Sequence, residues 1–334
     1  MKQMVVLSGK GGTGKTSVTA ALAELIRRAS GLETPHLILV DADVDAANLE
    51  LLLSPTILSR ESFQGGYQAR IDREQCQGCG ICQQVCRFDA VHDCKDGYRV
   101  DPFACEGCAS CYYQCPEQAV SLEKQIAGEW YRSQTRFGVL FHANLRAGQE
   151  NSGRLVALVK EQAKKAAQNS PGTLLLIDGP PGMGCPVISA VSGVDFALIV
   201  TEPSLAGIHD LERVLETTEH FGVPAGVCIN KVDISPAGAR KIRTISRERD
   251  LPVLGEIPFD VTVTEAMVEG KPVTEFSPQS QVSRAVNRLW HRIQQILNAD
   301  EGITAAGANS LDVTGVLPGD PHVNKSMNNK RREV

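Results

Sequence analysis

Met4-Val5-Val6-Leu7-Ser8-Gly9-Lys10-Gly11-Gly12-Thr13-Gly14-Lys15-Thr16-Ser17 is the stretch that decides the fold class. Met4 to Leu7 reads as a buried strand, and Ser17 to Arg28 reads as a helix. Between them lies Gly9 to Thr16, a glycine-rich loop of the kind that curls its backbone N–H groups around one anion. The positive end of the following helix adds to that field. In this pattern Lys15 reaches the β- and γ-phosphates of a nucleotide, and the Thr16 hydroxyl binds Mg²⁺.

Two further strand ends carry acids. The run His36 to Val40 reads as a buried strand and ends in Asp41-Ala42-Asp43-Val44-Asp45. Thr173 to Asp178 reads as another and is followed by the turn Gly179-Pro180-Pro181-Gly182. In open α/β sheets the ligand sits beyond the carboxyl ends of the strands. Asp41, Asp43 and Asp178 are therefore expected to handle Mg²⁺ and water, with the Gly-Pro-Pro-Gly turn sensing the γ-phosphate.

The chain has 334 residues, 42 % hydrophobic and 22 % charged, with net charge −5. That is soluble globular composition, and its sign argues against a general nucleic-acid or anionic-membrane binder. No apolar run approaches the roughly 18 residues of a membrane helix. The first strand begins by residue 4, so a cytoplasmic location without signal peptide is expected. Nine of the 11 cysteines lie between residues 76 and 115, and in a reducing compartment such a cluster reads as metal ligands.

Eight of those cysteines form two runs. Cys76-x-x-Cys79-x-x-Cys82-x-x-x-Cys86 is followed by Cys105-x-x-Cys108-x-x-Cys111-x-x-x-Cys115-Pro116. In this spacing the fourth cysteine of each run ligates the other run's cluster. Cys76, Cys79, Cys82 and Cys115 are expected to hold one 4Fe–4S cluster. Cys105, Cys108, Cys111 and Cys86 are expected to hold the second, the alternative being two zinc sites. Residues 67–124 resemble the bacterial ferredoxins, with Arg87 where a proline is usual. The charge of Arg87 is expected to raise the potential of the cluster that uses Cys86. Cys94, Cys185 and Cys228 read as ordinary thiols, although two copies of Cys185 could bind metal across a dimer.

Ala46 to Leu53 reads as a helix, and Ser54 to Gly66 is polar and breaks the α/β rhythm, which resumes after the insert. Strands are expected at 196–200, 225–229 and 253–257, and helices at 152–168, 205–221, 238–249 and 280–297, with β-rich sequence at 130–145. The expected architecture is a mostly parallel P-loop NTPase sheet with helices on both faces, plus an inserted small α+β dicluster ferredoxin domain. Its parts are residues 1–64 and 125–298 for the ATPase domain and 65–124 for the insert, with a disordered tail at 299–334.

The loop from Gly9 to Thr16 carries an extra lysine, Lys10, and so resembles the deviant Walker A loop of the MinD/ParA/Mrp ATPases and the nitrogenase iron protein. Asp41-Ala42-Asp43, Asp178-Gly-Pro-Pro-Gly and the run from Ile257-Pro258 to Pro272-Val273 match as well. The resemblance extends over roughly 1–60 and 125–298, and is nearest to the cobyrinic acid a,c-diamide synthase-like group with an inserted ferredoxin domain. It implies a nucleotide-sandwich dimer, formed with a second copy or with a paralogous ATPase. Lys10 would reach the other subunit's phosphates, and Asp43 would orient the attacking water. The implied nucleotide contacts are Gly9, Lys10, Gly11, Gly12, Thr13, Gly14, Lys15, Thr16, Ser17, Asn230 and Pro258. Asn230-Lys231-Val232-Asp233 is the Asn-Lys-x-Asp pattern that reads guanine in GTPases, but the resemblance favours ATP.

Three functions are expected in turn. The first is a slow, partner-regulated ATPase switch that couples ATP to electron transfer to a redox partner. The second is a scaffold or carrier ATPase for iron–sulfur or other metal-cofactor assembly. The third is a positioning ATPase of MinD type, against which the polar tail offers no amphipathic membrane anchor.

Overall fold

Alternation along the strands explains how the sheet is covered. In β1 (Lys2–Ser8), Met4 and Val6 face one hydrophobic core, while Val5 and Leu7 face a second on the opposite side. A strand apolar at every position is what a sheet buried on both faces requires. The structure, a computed structural model, describes residues 1–30, 37–146, 148–149, 151–168, 170 and 172–302. His36 and residues 303–334, most of the expected tail, lie outside the described residues.

From β1 the chain runs through α1 (Lys15–Ser30), β2 (Leu37–Asp41) and α2 (Leu49–Leu53) into the long strand β3 (Thr56–Ile71). The cysteine-rich segment follows as α3 (Ile81–Gln84), β4 (Val91–Cys94), β5 (Gly97–Val100) and α4 (Ser110–Gln114). The return leg is β6 (Val120–Gln134) and β7 (Val139–Leu145). Then come α5 (Ser152–Ala167), β8 (Leu174–Pro181), α6 (Cys185–Val191), β9 (Phe196–Thr201) and α7 (Leu205–His220). The chain closes with β10 (Ala225–Asn230), α8 (Pro236–Glu248), β11 (Val253–Ile257), α9 (Thr262–Val268), α10 (Val273–Phe276) and α11 (Gln281–Gly302).

Nine strands form one sheet in the order β11-β10-β9-β1-β8-β2-β7-β6-β3. The strands from β11 to β7 pair in parallel, and β6 and β3 continue the sheet antiparallel. Residues of α1, α2 and α11 fill the core on one face, and residues of α5, α6, α7 and α8 fill the other. This is a mostly parallel α/β P-loop NTPase sheet with helices on both sides. No described helix is long and apolar enough to cross a membrane.

The expected elements differ from the observed ones in several places. The stretch 54–66, which breaks the α/β rhythm, lies largely in β3, and 130–145 splits into the end of β6 and all of β7. The helix expected over 46–53 begins only at Leu49, because the Asp41 side chain accepts the Leu49 N–H at 3.0 Å while Ala46 turns back onto the Asp43 carbonyl. Gly179, Pro180 and Pro181 still belong to β8, and the chain turns only at Gly182, whose φ is +88°. Helices α6, α9 and α10 were not expected.

Strands β3 and β6 pair from Thr56↔Gln134 to Ile71↔Val120, whereas β6 pairs with β7 only over Gly128–Gln134. The strands therefore leave the sheet as a two-stranded arm, and the cysteine-rich segment hangs from its far end. Phe63, Ala127 and Trp130 bury the arm's base in the α5-side core, and Arg154 of α5 donates to the Gly65 carbonyl at 3.3 Å. The boundaries expected at 64/65 and 124/125 fall inside these two strands.

His142 of β7 is 2 % exposed, stacked on Tyr131, with Nε2 2.9 Å from Ser133 Oγ. Glu50 lies 3.2 Å from Nδ1, at an angle that makes no hydrogen bond. Burial pushes the imidazole down to about 4 from the usual 6.5. The unfolded chain therefore takes up this proton first as pH falls. The contribution is complete above about pH 6.5 and lost toward pH 4, a change on the order of 3 kcal/mol. Urea melts at both ends of that window should show the loss, and His142→Gln should flatten it.

Candidate functional site

Parallel register gathers the site. Asp41 stands directly beside Asp178 on the neighbouring strand, and Val6 flanks Asp178 on the other side, so the glycine loop leaves β1 next to both acids. Asp178 is 1 % exposed and fully engaged. Its Oδ1 lies 3.1 Å from Lys15 Nζ and accepts the Thr19 hydroxyl at 2.9 Å, while Oδ2 accepts the Thr16 hydroxyl at 2.7 Å. Lys15, Thr16 and Thr19 lie on the first turns of α1, where residues four apart share a face. Thr19 is a member of this cluster that the motif reading did not include.

Asp41 accepts the N–H groups of Asp43 at 3.1 Å and Leu49 at 3.0 Å. Burial, reinforced by the neighbouring Asp178 charge, pushes the Asp41 carboxyl up to about 8. Burial also raises Asp43, against the attraction of Lys15. Two adjoining buried carboxylates with one lysine between them form a site that gains from a divalent cation. The donor set fits Mg²⁺, which takes few protein ligands and shares phosphate oxygens and waters.

The loop itself is braced from behind. Gly14 has φ +90°, and a Cβ there would come within 2.3 Å of Asn230 Nδ2, so both backbone and space demand glycine. Asn230 Nδ2 donates to the Thr13 carbonyl at 2.7 Å, and its Oδ1 accepts the Lys231 N–H at 3.0 Å. Lys231 Nζ donates to the Gly12 carbonyl at 2.9 Å. Asp233, the last member of Asn-Lys-x-Asp, accepts the Phe259 N–H at 2.7 Å, next to Pro258. Ser17 donates to the Met267 sulfur of α9. Lys10 forms an ion pair with Glu202 Oε1 at 2.6 Å, a partner the sequence reading did not name. Glu202 directly follows β9, so the strand-end rule that found Asp41 and Asp178 would have found it too.

The cysteine-rich segment is built twice, with a spacing of 29 residues. Cys76 N–H donates to the Asp72 carbonyl as Cys105 N–H does to that of Asp101. Ala90 N–H donates to Cys86 Sγ at 3.4 Å as Ala119 N–H does to Cys115 Sγ at 3.3 Å. Left-handed Gly80 and Ala109 precede α3 and α4, where Cys82 and Cys111 turn into a small shared core with Val91, Val100 and Val120. Two shallow recesses result. One is lined by Cys76, Cys79, Cys82 and Cys115, the other by Cys86, Cys105, Cys108 and Cys111. Among the described residues no three His, Cys, Asp or Glu side chains converge tightly enough to hold a single metal ion. Cys94 lines neither recess. Ser110, foremost, together with Arg87 pulls the Cys108 thiol below its usual range. Cys228 is buried in β10, and burial pushes its thiol up to about 12. Cys185 is exposed at the start of α6.

A profile of the CobQ/CobB/MinD/ParA nucleotide binding domain matches residues 4–273. The chain belongs to this family. It is a nucleotide-binding ATPase of the MinD/ParA kind. An uncharacterized protein of Methanocaldococcus jannaschii is 29 % identical over 88 % of this chain and 97 % of its own length. The septum site-determining protein MinD of Pyrococcus horikoshii OT3, solved with Mg-ADP, superposes with a TM-score of 0.55. It is 19 % identical and spans 89 % of this chain and 98 % of that one. The MinC:MinD cell division complex of Aquifex aeolicus gives 0.54 at 19 % identity, spanning 88 % and 96 %. At these identities the structural likeness establishes the MinD fold and nothing finer.

Proposed function

We propose that this chain is an ATP-driven, self-associating switch whose arm carries two 4Fe–4S clusters and serves electron transfer to a partner protein in the cytoplasm. The observation that carries the reading is the pair of recesses, each lined by three cysteines of one run and the fourth of the other. A zinc ion needs four ligands about 2.3 Å from one point. A recess ringed by four thiols suits a polynuclear group instead, and each has an N–H directed at one sulfur. Bound there, the clusters would supply one-electron chemistry.

On the nucleotide side, Lys15 and the loop N–H groups would hold the phosphates, and Thr16 with the two acids would hold Mg²⁺. The Thr16 and Lys15 bonds to Asp178 would then be exchanged for ligand contacts. Asp43 would orient the attacking water, and Lys10 would supply charge to the second subunit's phosphates.

The link to the arm is short. Leu145 N–H donates to the Val44 carbonyl at 2.9 Å, within the acidic loop, and Leu145 pairs with Gly128 at the arm's base. Arg146 N–H adds a bond to the Ala127 carbonyl at 2.8 Å. A shift of the loop on nucleotide binding would thus act on β6. Phe88 lines the second recess, and Phe103 and Tyr113 lie two residues in sequence from its Cys105 and Cys111; the three are exposed by 44 %, 97 % and 81 %. The equivalent positions of the other half are Glu117, Glu74 and Gln84. Exposed aromatics of this kind support a partner at the second recess.

ATP is favoured over GTP on the family likeness, and within Asn-Lys-x-Asp the Asn230 amide is engaged by Thr13 and Lys231 while Asp233 Oδ1 takes the Phe259 N–H. ATP is expected to displace a labelled nucleotide at least about tenfold better than GTP, and equal competition would overturn that assignment. The wider reading is tested anaerobically, by measuring ATPase rate and self-association with the iron reduced and oxidised. Rates that follow redox state support the switch. Rates indifferent to it favour the MinD-type positioning reading, which family membership supports and in which the clusters would be structural.

A further inference from the structure

Glu202 joins three parts of the nucleotide site. Its Oε1 takes Lys10 at 2.6 Å and the Ser204 hydroxyl at 3.1 Å, and its Oε2 takes Lys231 at 3.0 Å. Lys231 in turn holds the Gly12 carbonyl at 2.9 Å. The Glu202 side chain is 15 % exposed, and those of Lys10 and Lys231 are 32 % and 27 % exposed. The pair is therefore partly shielded from solvent, yet lies at the mouth of the loop. Burial would raise this carboxyl, but the two lysines and Ser204 outweigh it and hold it down at about 2, so it stays charged across the working range.

Lys10 is the one loop lysine that the switch reading needs outside its own chain. Here it is folded back, and the acid that holds it is anchored independently by Lys231 and Ser204. We propose that Glu202 is a positioning residue that parks Lys10 on its own subunit, so that ATP-driven association requires the Lys10–Glu202 pair to open. The proposal rests on the two-subunit reading for its consequence, but the parked lysine itself does not. Lys231 keeps Glu202 in place when Lys10 leaves, which makes the arrangement reversible. Release costs a partly shielded ion pair, and the second subunit's phosphates offset it with a stronger one.

The test is Glu202→Gln, which preserves size and the Ser204 bond while removing the charge. Without nucleotide, acetylation of Lys10 by acetic anhydride, followed by mass spectrometry, should speed up about fivefold relative to wild type. In the hydrolysis-slowed Asp43→Ala background, the protein concentration at which ATP drives self-association should fall by a similar factor. Raising salt should narrow both differences, because it screens only the wild-type pair. In a Lys10→Ala background, which should associate more weakly or not at all, Glu202→Gln should restore no association, whereas a general loosening of the loop would still promote it. Unchanged Lys10 acetylation overturns the proposal. So does an unchanged threshold in a protein that does associate with ATP. If Asp43→Ala fails to associate at all, the two-subunit reading fails, and the acetylation rate alone decides whether Lys10 is parked.

Discussion

Lys15→Ala is expected to weaken ATP binding about a thousandfold, the scale seen when one member of a desolvated charge pair is removed. The reason lies in what surrounds the ammonium. Lys15 is 6 % exposed and is the cation beside Asp178, with Asp41 in register on the next strand. Taking it away removes the positive charge due to meet the phosphates and leaves the buried Asp178 carboxylate without its cation, beside the Asp41 carboxyl on the next strand. The second effect alone is on the order of 3–5 kcal/mol of stability, so a binding loss could be mistaken for unfolding. Thermal melts should accompany the titration, and Lys15→Met, which keeps the aliphatic stem, should bind as poorly while melting higher than Lys15→Ala. A folded Lys15 variant that holds ATP with wild-type affinity would remove the basis for the nucleotide site.

The second large effect concerns which cysteines act together. If the recesses are the cluster sites, Cys115→Ser damages the same site as Cys82→Ser, although the two lie in different runs. The double variant should lose about four iron atoms per chain, no more than either single variant. Pairing Cys115→Ser with Cys111→Ser, four residues away, should instead lose about eight, because Cys111 lines the other recess. Iron analysis of anaerobically purified protein distinguishes the two patterns. Iron losses that group by run rather than by recess would rule out the crossed assignment, and stoichiometric zinc in place of iron would rule out clusters.

The phosphate loop and its two strand-end acids were legible because the chemistry compels local sequence: glycines for the curl, lysine and threonine at the head of α1, acids where strands stop. The repeat of the two cysteine runs was legible from their spacing, and the expected grouping of three sulfurs from one run with the fourth of the other matches the lining of the recesses. What stayed hidden depends on long-range neighbours. Nothing near Glu202 announces that Lys10, 192 residues earlier, will lie 2.6 Å away. The arm was obscure because Thr56 to Ser62 are exposed on both faces of β3, so the alternation that betrays a half-buried strand is missing. The start of α2 was misplaced because a buried carboxylate, not a local cap, takes its first N–H.

The crossing of Cys86 and Cys115 between the two halves of the repeat bears on how the segment matures. Each half supplies one cysteine to the recess lined by the other half's three, so under the cluster reading neither half would be loaded as an isolated piece. If the recesses take clusters, filling one would hold the two halves together and keep the remaining thiols of the other in place, so the second loading would meet a smaller entropic barrier than the first. Iron incorporation into the unmutated chain should therefore show fewer half-filled chains during reconstitution than independent loading of two sites would give.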